Sequence, residues 1–313
     1  MRCRALVRLP AEDTRAARMR PALLGLCALV AAHVHAAGTT IHLTDDAGHD
    51  LVLQQPARRV VALAPHLTEL AYAAGGGAFL VGVGRYSDHP EAARRLPVVS
   101  DAFALDLEAI ARLKPDLVLV WRSGTPQRQR ERLRALGVPV FESEITSVDG
   151  IAGTLQRLGS AWGNEAAARQ AADALRQRWR QLQERYASRT PVRVFVQLWD
   201  QPLMTVNHQH LIDAAVRACG GRNPFTHLPM LTPTITWEDG VRADPQLVVA
   251  ADVNLEAARR GWQRFASVQA VRNGQIAGMD ADRLTRMGPR FVEGAQQLCE
   301  AIEAARRQGA PRR

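Results

Sequence analysis

The chain has 313 residues, 47% of them apolar, with 40 basic residues against 31 acidic ones and a formal net charge of +9. That supply of apolar side chains is enough for one large or two modest packed domains and excludes an intrinsically disordered chain. Lys114 is the sole lysine, so the charge is arginine scattered along helical stretches, which argues against a nucleic-acid-binding stripe with interleaved aromatics.

From Met19 the chain reads MRPALLGLCALVAAHVHAAG. A basic start, an apolar run over 22–32 and small residues at Ala36 and Ala37 make the pattern of a secretory signal peptide. Residues 1–36 are expected to be a leader cut after Ala36, with Met19 a second candidate start. The alternative, an uncleaved anchor, has to contend with an apolar run short for a membrane span. Leu26, bulky and directly before Cys27, speaks against lipoprotein cleavage there. Removal of 1–36 leaves 34 basic and 29 acidic residues, a charge of +5, and two cysteines, Cys219 and Cys299. Exported compartments are oxidising, so the pair reads as a disulfide, the alternative being two buried thiols. No CxxC accompanies them, so neither a zinc nor a redox role is indicated.

Residues 40–53 alternate apolar and polar around Asp46-Ala47-Gly48, a β-hairpin signal. Strands are expected over 59–63, 79–83 and 98–100, with a helix from Thr68 or His66 to Ala74 ended by Gly75-Gly76-Gly77. The stretch DLEAIARLKPDLVLVWRSG (106–124) reads as a short amphipathic helix stopped by Pro115, then a strand without a polar break over 117–120. Such a run suits a parallel strand covered on both faces. A helix over 125–136, a strand over 138–141 and a helix over 148–158 follow. Residues 164–187 carry no glycine or proline and consist of strong helix formers, about six turns or ~36 Å. Alternation then resumes, with strands over 192–198, 203–206, 246–251 and 275–278 and helices over 211–218 and 291–305. This is an α/β chain of two doubly wound lobes, 37–163 and 189–313, joined by a helix over 164–188. A helix without a break is a poor flexible linker, so the ligand site is expected in a cleft between the lobes.

No G-x-S-x-G, HExxH, Walker or dinucleotide-binding pattern occupies its proper context, and the glycines at 75–77 end a helix instead of opening one. Among the histidines only His208 and His210 are closely spaced; they stand at a helix start and read as a solvated cap. Side chains at strand ends, above all Trp121-Arg122, sit where open α/β sheets bind ligands. They suit holding a molecule better than transforming it, and no enzymatic activity is expected.

Taken in order, RRVVALAPHLTELAYAAG, VGVGRYSDHP, DLEAIARLKPDLVLVWRSG, VRACGGRNPF and PRFVEGAQQLCEAI give the chain a resemblance over residues 58–307. It resembles the periplasmic solute-binding proteins of ABC importers for cobalamin, haem and iron–siderophores, and is most similar to the cobalamin-binding members. The resemblance implies two α/β lobes on a rigid helix, a periplasmic monomer without a cofactor of its own, and cobalamin or a related corrinoid as transported ligand. It implies an ABC importer permease in the inner membrane as partner. Carried over by position, Tyr86 and Trp121 are implied to contact the corrin, with Pro65, His66, Arg122 and Gly124 lining the cleft beside them. Asp282 and Arg286 are implied to face the ligand before the last helix. Glu108 and Glu238, one per lobe, are implied to dock onto permease arginines, and Cys219 and Cys299 to form the family disulfide. Two family tryptophans are missing: Ala102-Phe103 and Thr232 stand at those places. Phe103 and Trp199 are therefore expected in the cleft, with Trp237 a further substitute. The alternative within the family is a haem or ferric-siderophore binder, with Tyr86 or His66 on the iron, or Arg122 and Arg286 facing a siderophore.

Overall fold

The computed structural model describes residues 40–101 and 104–309; the expected leader and Phe103 lie outside the described residues. The chain opens with an antiparallel hairpin of β1 (Ile41–Thr44) and β2 (Asp50–Leu53). Five parallel strands then form the first sheet, β3 (Val60–Ala62), β4 (Leu80–Gly84), β5 (Val98–Ser100), β6 (Leu117–Trp121) and β7 (Val140–Ser143). Their spatial order is β5-β4-β3-β6-β7. Between and after these strands run α1 (Pro65–Ala73), α2 (Leu107–Arg112), α3 (Gln127–Arg134) and α4 (Val148–Ala161).

The unbroken apolar run of β6 behaves as its pattern predicts. Leu117 to Val120 are all at most 1% exposed. Leu117 and Leu119 pack with Leu67, Leu70 and Leu155, while Val118 and Val120 pack with Ile110 and Leu133 on the opposite face. Successive side chains of a strand point to opposite faces, so only an all-apolar strand can serve both layers.

Helix α5 (Glu165–Tyr186) follows, 22 residues or about 33 Å. Its buried residues, Ala168, Ala172, Leu175, Leu182 and Tyr186, fall on one helical stripe, and the arginines and glutamates take the other side. It packs closely on α4 because Gly159 has no side chain; a Cβ there would stand 2.2 Å from that of Ala168.

The second lobe contains β8 (Val192–Gln197), a small antiparallel pair β9 (Trp199–Asp200) and β10 (Leu203–Met204), α6 (Leu211–Ala218) and β11 (Gly221–Arg222). It continues through α7 (Trp237–Arg242), β12 (Leu247–Ala250), α8 (Leu255–Gln263), α9 (Gln269–Arg272), β13 (Ile276–Gly278), α10 (Ala281–Leu284) and α11 (Phe291–Gly309). Four of these strands form a parallel sheet in the order β11-β8-β12-β13. One core cluster runs from β3 and β6 through the α5 stripe to β8, α6 and α11. A second fills the far face of β8 and β12 around Phe195 and Trp262.

Helices α7 to α10 were not among the expected elements. All are short, and α7 and α8 carry Gly240 and Gly261, residues of low helix propensity. Start signals for α7 and α8 are nonetheless present: Thr236 and Asp239 form a reciprocal capping box, and Asn254 accepts from the amides of Glu256 and Ala257. Cys219, just past α6, is bonded to Cys299 in the middle of α11, closing a separation of 80 residues.

Candidate functional site

The strands of a parallel sheet all end on one edge, and in the first lobe residues at that edge line two cavities. In the first lobe a cavity of about 210 Å³ is lined by Pro65, Tyr86, Ser100, Trp121 and Gly124 at the ends of β3, β4, β5 and β6. A second cavity, about 320 Å³, lies between the lobes. Trp121, Ser123, Glu144 and Thr146 line it from one side, and His210, Leu231, Thr232 and Thr285 from the other. Trp121 is common to both, so the two cavities adjoin at its indole.

Several contacts hold that indole in place. His66, second residue of α1, meets it edge-on with ring centroids 5.5 Å apart. Beneath it Gly124 is required: a Cβ there would come within 1.9 Å of the indole ring. The indole Nε1–H is buried and has no acceptor among the described residues. An unpaired buried donor costs free energy, and a bound acceptor would recover it. Burial, assisted by the charge of Arg286, lowers the pKa of His66 to about 3, so its ring is neutral at ordinary pH.

Tyr86 stands where β4 turns toward the recess, at φ +66 and 70% exposed. A left-handed backbone is uncommon for an aromatic residue, and here it coincides with a large side chain left in solvent at a cavity rim. Arg122, just beyond Trp121, leans instead toward the buried Glu142, 4.0 Å away, and its own carbonyl accepts from Arg130. Trp199, 51% exposed, projects from the β9–β10 pair after the end of β8, with its Nε1 donating to the Gln201 carbonyl. Trp237 is in the second core, stacked on Phe265 at 5.7 Å and edge-on to Trp262 at 5.3 Å.

Arg286 and Asp282 are joined to each other at 2.6 Å and take part in a larger ion cluster. Arg286 also reaches Glu69 at 3.1 Å and Asp88 at 2.8 Å, both in the first lobe. Arg290 holds the Glu69 carboxylate with two further bonds, at 2.6 and 2.9 Å. The Glu69 side chain is 2% exposed, so a buried carboxylate of α1 is satisfied by two arginines of the opposite lobe. Planar guanidinium groups suit such paired bonds. The cluster clamps α1, which carries Pro65 and His66, to the segment before α11. Glu69 and Arg290 were not among the expected residues, because partners 221 residues apart leave no local pattern.

His210 was also missed as a site residue. It does cap α6, its Nδ1 accepting the Ile212 amide at 3.1 Å, but it is half-buried and lines the inter-lobe cavity. Burial lowers its pKa to about 4.

Glu108 and Glu238 are both exposed and both in the first turn of their helix, α2 and α7. The Glu108 side chain is 91% exposed, with Arg112 at 3.9 Å. Among the described residues no group of three or more histidine, cysteine or acidic side chains is arranged to hold a metal ion, and no helix is long and apolar enough to cross a membrane.

A sequence profile described as periplasmic binding protein matches residues 60–283. The vitamin B12-binding protein of Vibrio cholerae is 35% identical over 255 residues, 81% of this chain and 92% of that relative. The vitamin B12-binding protein of Yersinia pestis is 38% identical over 250 residues, 79% and 87% of the two. The crystal structure of the periplasmic vitamin B12 binding protein BtuF of V. cholerae superposes with a TM-score of 0.74, covering 80% of this chain and 98% of that one. A periplasmic heme binding protein of Pseudomonas aeruginosa, 26% identical, superposes with a TM-score of 0.69 over 79% and 92%.

Proposed function

The chain belongs to the periplasmic binding protein family, and from that premise we propose that it captures cobalamin or a related corrinoid between its lobes, in the periplasm, and delivers it to an ABC import permease. The observation that carries this reading is the recess of two adjoining cavities with Trp121 common to both. A corrinoid is a broad amphipathic disc with amide edges. It calls for aromatic and apolar walls with a few polar groups at the rim, and the recess supplies Trp121, Tyr86, Pro65 and Leu231 beside Ser123, Thr232 and Thr285. Trp199, exposed at the end of β8, is a further wall for the same ligand. Asp282 and Arg286, tied into the ion cluster, act on the ligand by fixing the distance between the lobes. The reading contains no covalent step; capture and release suffice.

Delivery needs a surface outside the recess. Glu108 and Glu238, one on each lobe and both exposed, are the acids we assign to arginines of the permease, where a guanidinium fork matches both carboxylate oxygens. Contacts of this kind govern docking and orientation.

The test has two parts. Exported protein mixed with cyanocobalamin and freed of unbound ligand should retain the corrinoid absorption bands; retention of haemin in their place would favour a haem binder, for which the exposed Tyr86 hydroxyl is the available iron ligand. The double variant Glu108→Ala/Glu238→Ala should bind cobalamin as the unaltered protein does and fail to support uptake by a reconstituted importer. Normal uptake by the double variant would remove the docking role.

A further inference from the structure

His210 lines the floor of the inter-lobe cavity with one edge of its ring already committed. Its Nδ1 accepts the backbone N–H of Ile212 at 3.1 Å, at the start of the eight-residue helix α6. A nitrogen that accepts cannot carry the proton, so in the neutral ring the proton is on Nε2. Burial keeps the ring neutral, lowering its pKa to about 4. That cap is the ring's one hydrogen bond among the described residues, which leaves Nε2–H for a partner in the cavity the ring lines. The tautomer is thus set by secondary structure: moving the proton to Nδ1 would break the cap. Around it the cavity offers the hydroxyls of Thr232 and Thr285 and, across the cleft, Ser123, itself bonded to Glu144 at 2.8 and 3.0 Å.

We propose that His210 is a specificity-determining donor, holding an acceptor oxygen on the edge of the bound corrinoid through Nε2–H, and that its cap excludes it from ligating the central metal. The inference rests on the corrinoid reading and deepens it. The acceptor is a carbonyl of a peripheral carboxamide or an oxygen of the nucleotide-loop phosphodiester, two sources of the same hydrogen-bond chemistry.

His210→Ser keeps a good helix cap and removes the donor. The variant should bind cyanocobalamin about tenfold more weakly than the unaltered protein, the loss of one hydrogen bond. Dicyanocobinamide, which lacks the nucleotide loop, separates the sources. A loss for both ligands assigns a carboxamide, and a loss for cyanocobalamin alone assigns the phosphodiester. Nitrogen-15 spectra of the unaltered protein should show His210 with the proton on Nε2 in the free state and a shift of that N–H on adding cyanocobalamin. This readout does not depend on whether the variant folds. A proton on Nδ1, equal cyanocobalamin affinity in His210→Ser, or a haemin complex whose axial-histidine bands vanish in that variant would overturn the assignment. If the unaltered protein bound no corrinoid, the functional reading would fall and the role of His210 with it; equal affinity in the variant would overturn the role alone.

Discussion

The helix–strand units α2–β6 and α7–β12, one in each lobe, are built alike up to their last residue. Each helix has a side-chain cap, Asp106 accepting from Ala109 and Thr236 accepting from Asp239, and each carries an exposed glutamate in its first turn. Each turn places a left-handed residue, Lys114 at φ +46 or Asp244 at φ +42, before a proline. At each strand start a side chain binds the neighbouring strand's backbone: the Asp116 carboxylate accepts from the amides of Arg58 and Arg59, and Gln246 accepts from Arg193. Even the arginines correspond, Arg59 donating to the Leu113 carbonyl and Arg193 to that of Asp244. The difference comes at the carboxyl ends. β6 finishes in Trp121 at the recess, whereas β12 runs into the fully buried Ala251. The repeated part is scaffold, where hydrogen-bond requirements leave little choice; the strand ends carry no such shared requirement, and there the two units differ.

The lobes differ most in covalent support. The second contains the Cys219–Cys299 bond, and the described part of the first contains no cysteine. Replacing both cysteines with alanine should lower unfolding free energy by about 4 kcal/mol in the chain-entropy account. In denaturant titrations the loss should be concentrated in the second lobe; a uniform loss would mean that the lobes unfold as one unit.

Acid should strike both lobes, since each holds one neutral histidine with a lowered pKa, the buried His66 and the half-buried His210. The folded-state pKa values of His66 and His210, about 3 and about 4, lie below the ordinary value of 6.5. The unfolded chain therefore binds more protons in this range. The stability of the neutral rings is fully present above about pH 6.5 and is lost as pH falls toward the folded values, at ~1.4 kcal/mol per unit for each. At pH 5 that is about 2 kcal/mol per histidine. Urea unfolding at pH 7 and pH 5 measures it, and a variant lacking one of the two should show half this slope.

Breaking the asymmetry at the strand end tests the site itself. Trp121→Ala should weaken cyanocobalamin binding by about 1–3 kcal/mol, the range for a buried aromatic contact. Calorimetry with no change would remove Trp121 from the ligand.

The last prediction concerns the shared part and is the smallest. Asp116→Ala deprives two amides of a charged acceptor and should cost about 2 kcal/mol, whereas Gln246→Ala deprives one amide of a neutral acceptor and should cost about 1 kcal/mol. Equal losses in thermal unfolding would show that solvent reaches these strand starts and levels the difference.

Residues 117–120 announced a central strand, and residues 164–187 an unbroken helix, because burial on both faces and high helix propensity are local demands met by local composition. The cysteine pair was legible for a similar reason: beyond the expected leader the sequence holds two cysteines, and in an oxidising compartment each has only the other. The order of motifs between 58 and 307 was enough to assign the family. Trp121 could be named from the sequence as the residue closing a strand without a polar break; Tyr86, Pro65 and Gly124 were implied by the family resemblance, and all four line one cavity. What tertiary structure alone decided was which distant side chains meet. Trp237, expected as a substitute for a missing cleft tryptophan, is drawn into the Trp262–Phe265 core, while Glu69 finds Arg286 and Arg290 more than 200 residues away. His210 reads locally as a helix cap and becomes a cleft residue only because α6 is packed with its start facing the other lobe. Propensity and pattern act over a turn or a strand; a buried charge or an oriented ring is fixed by partners the chain brings from elsewhere.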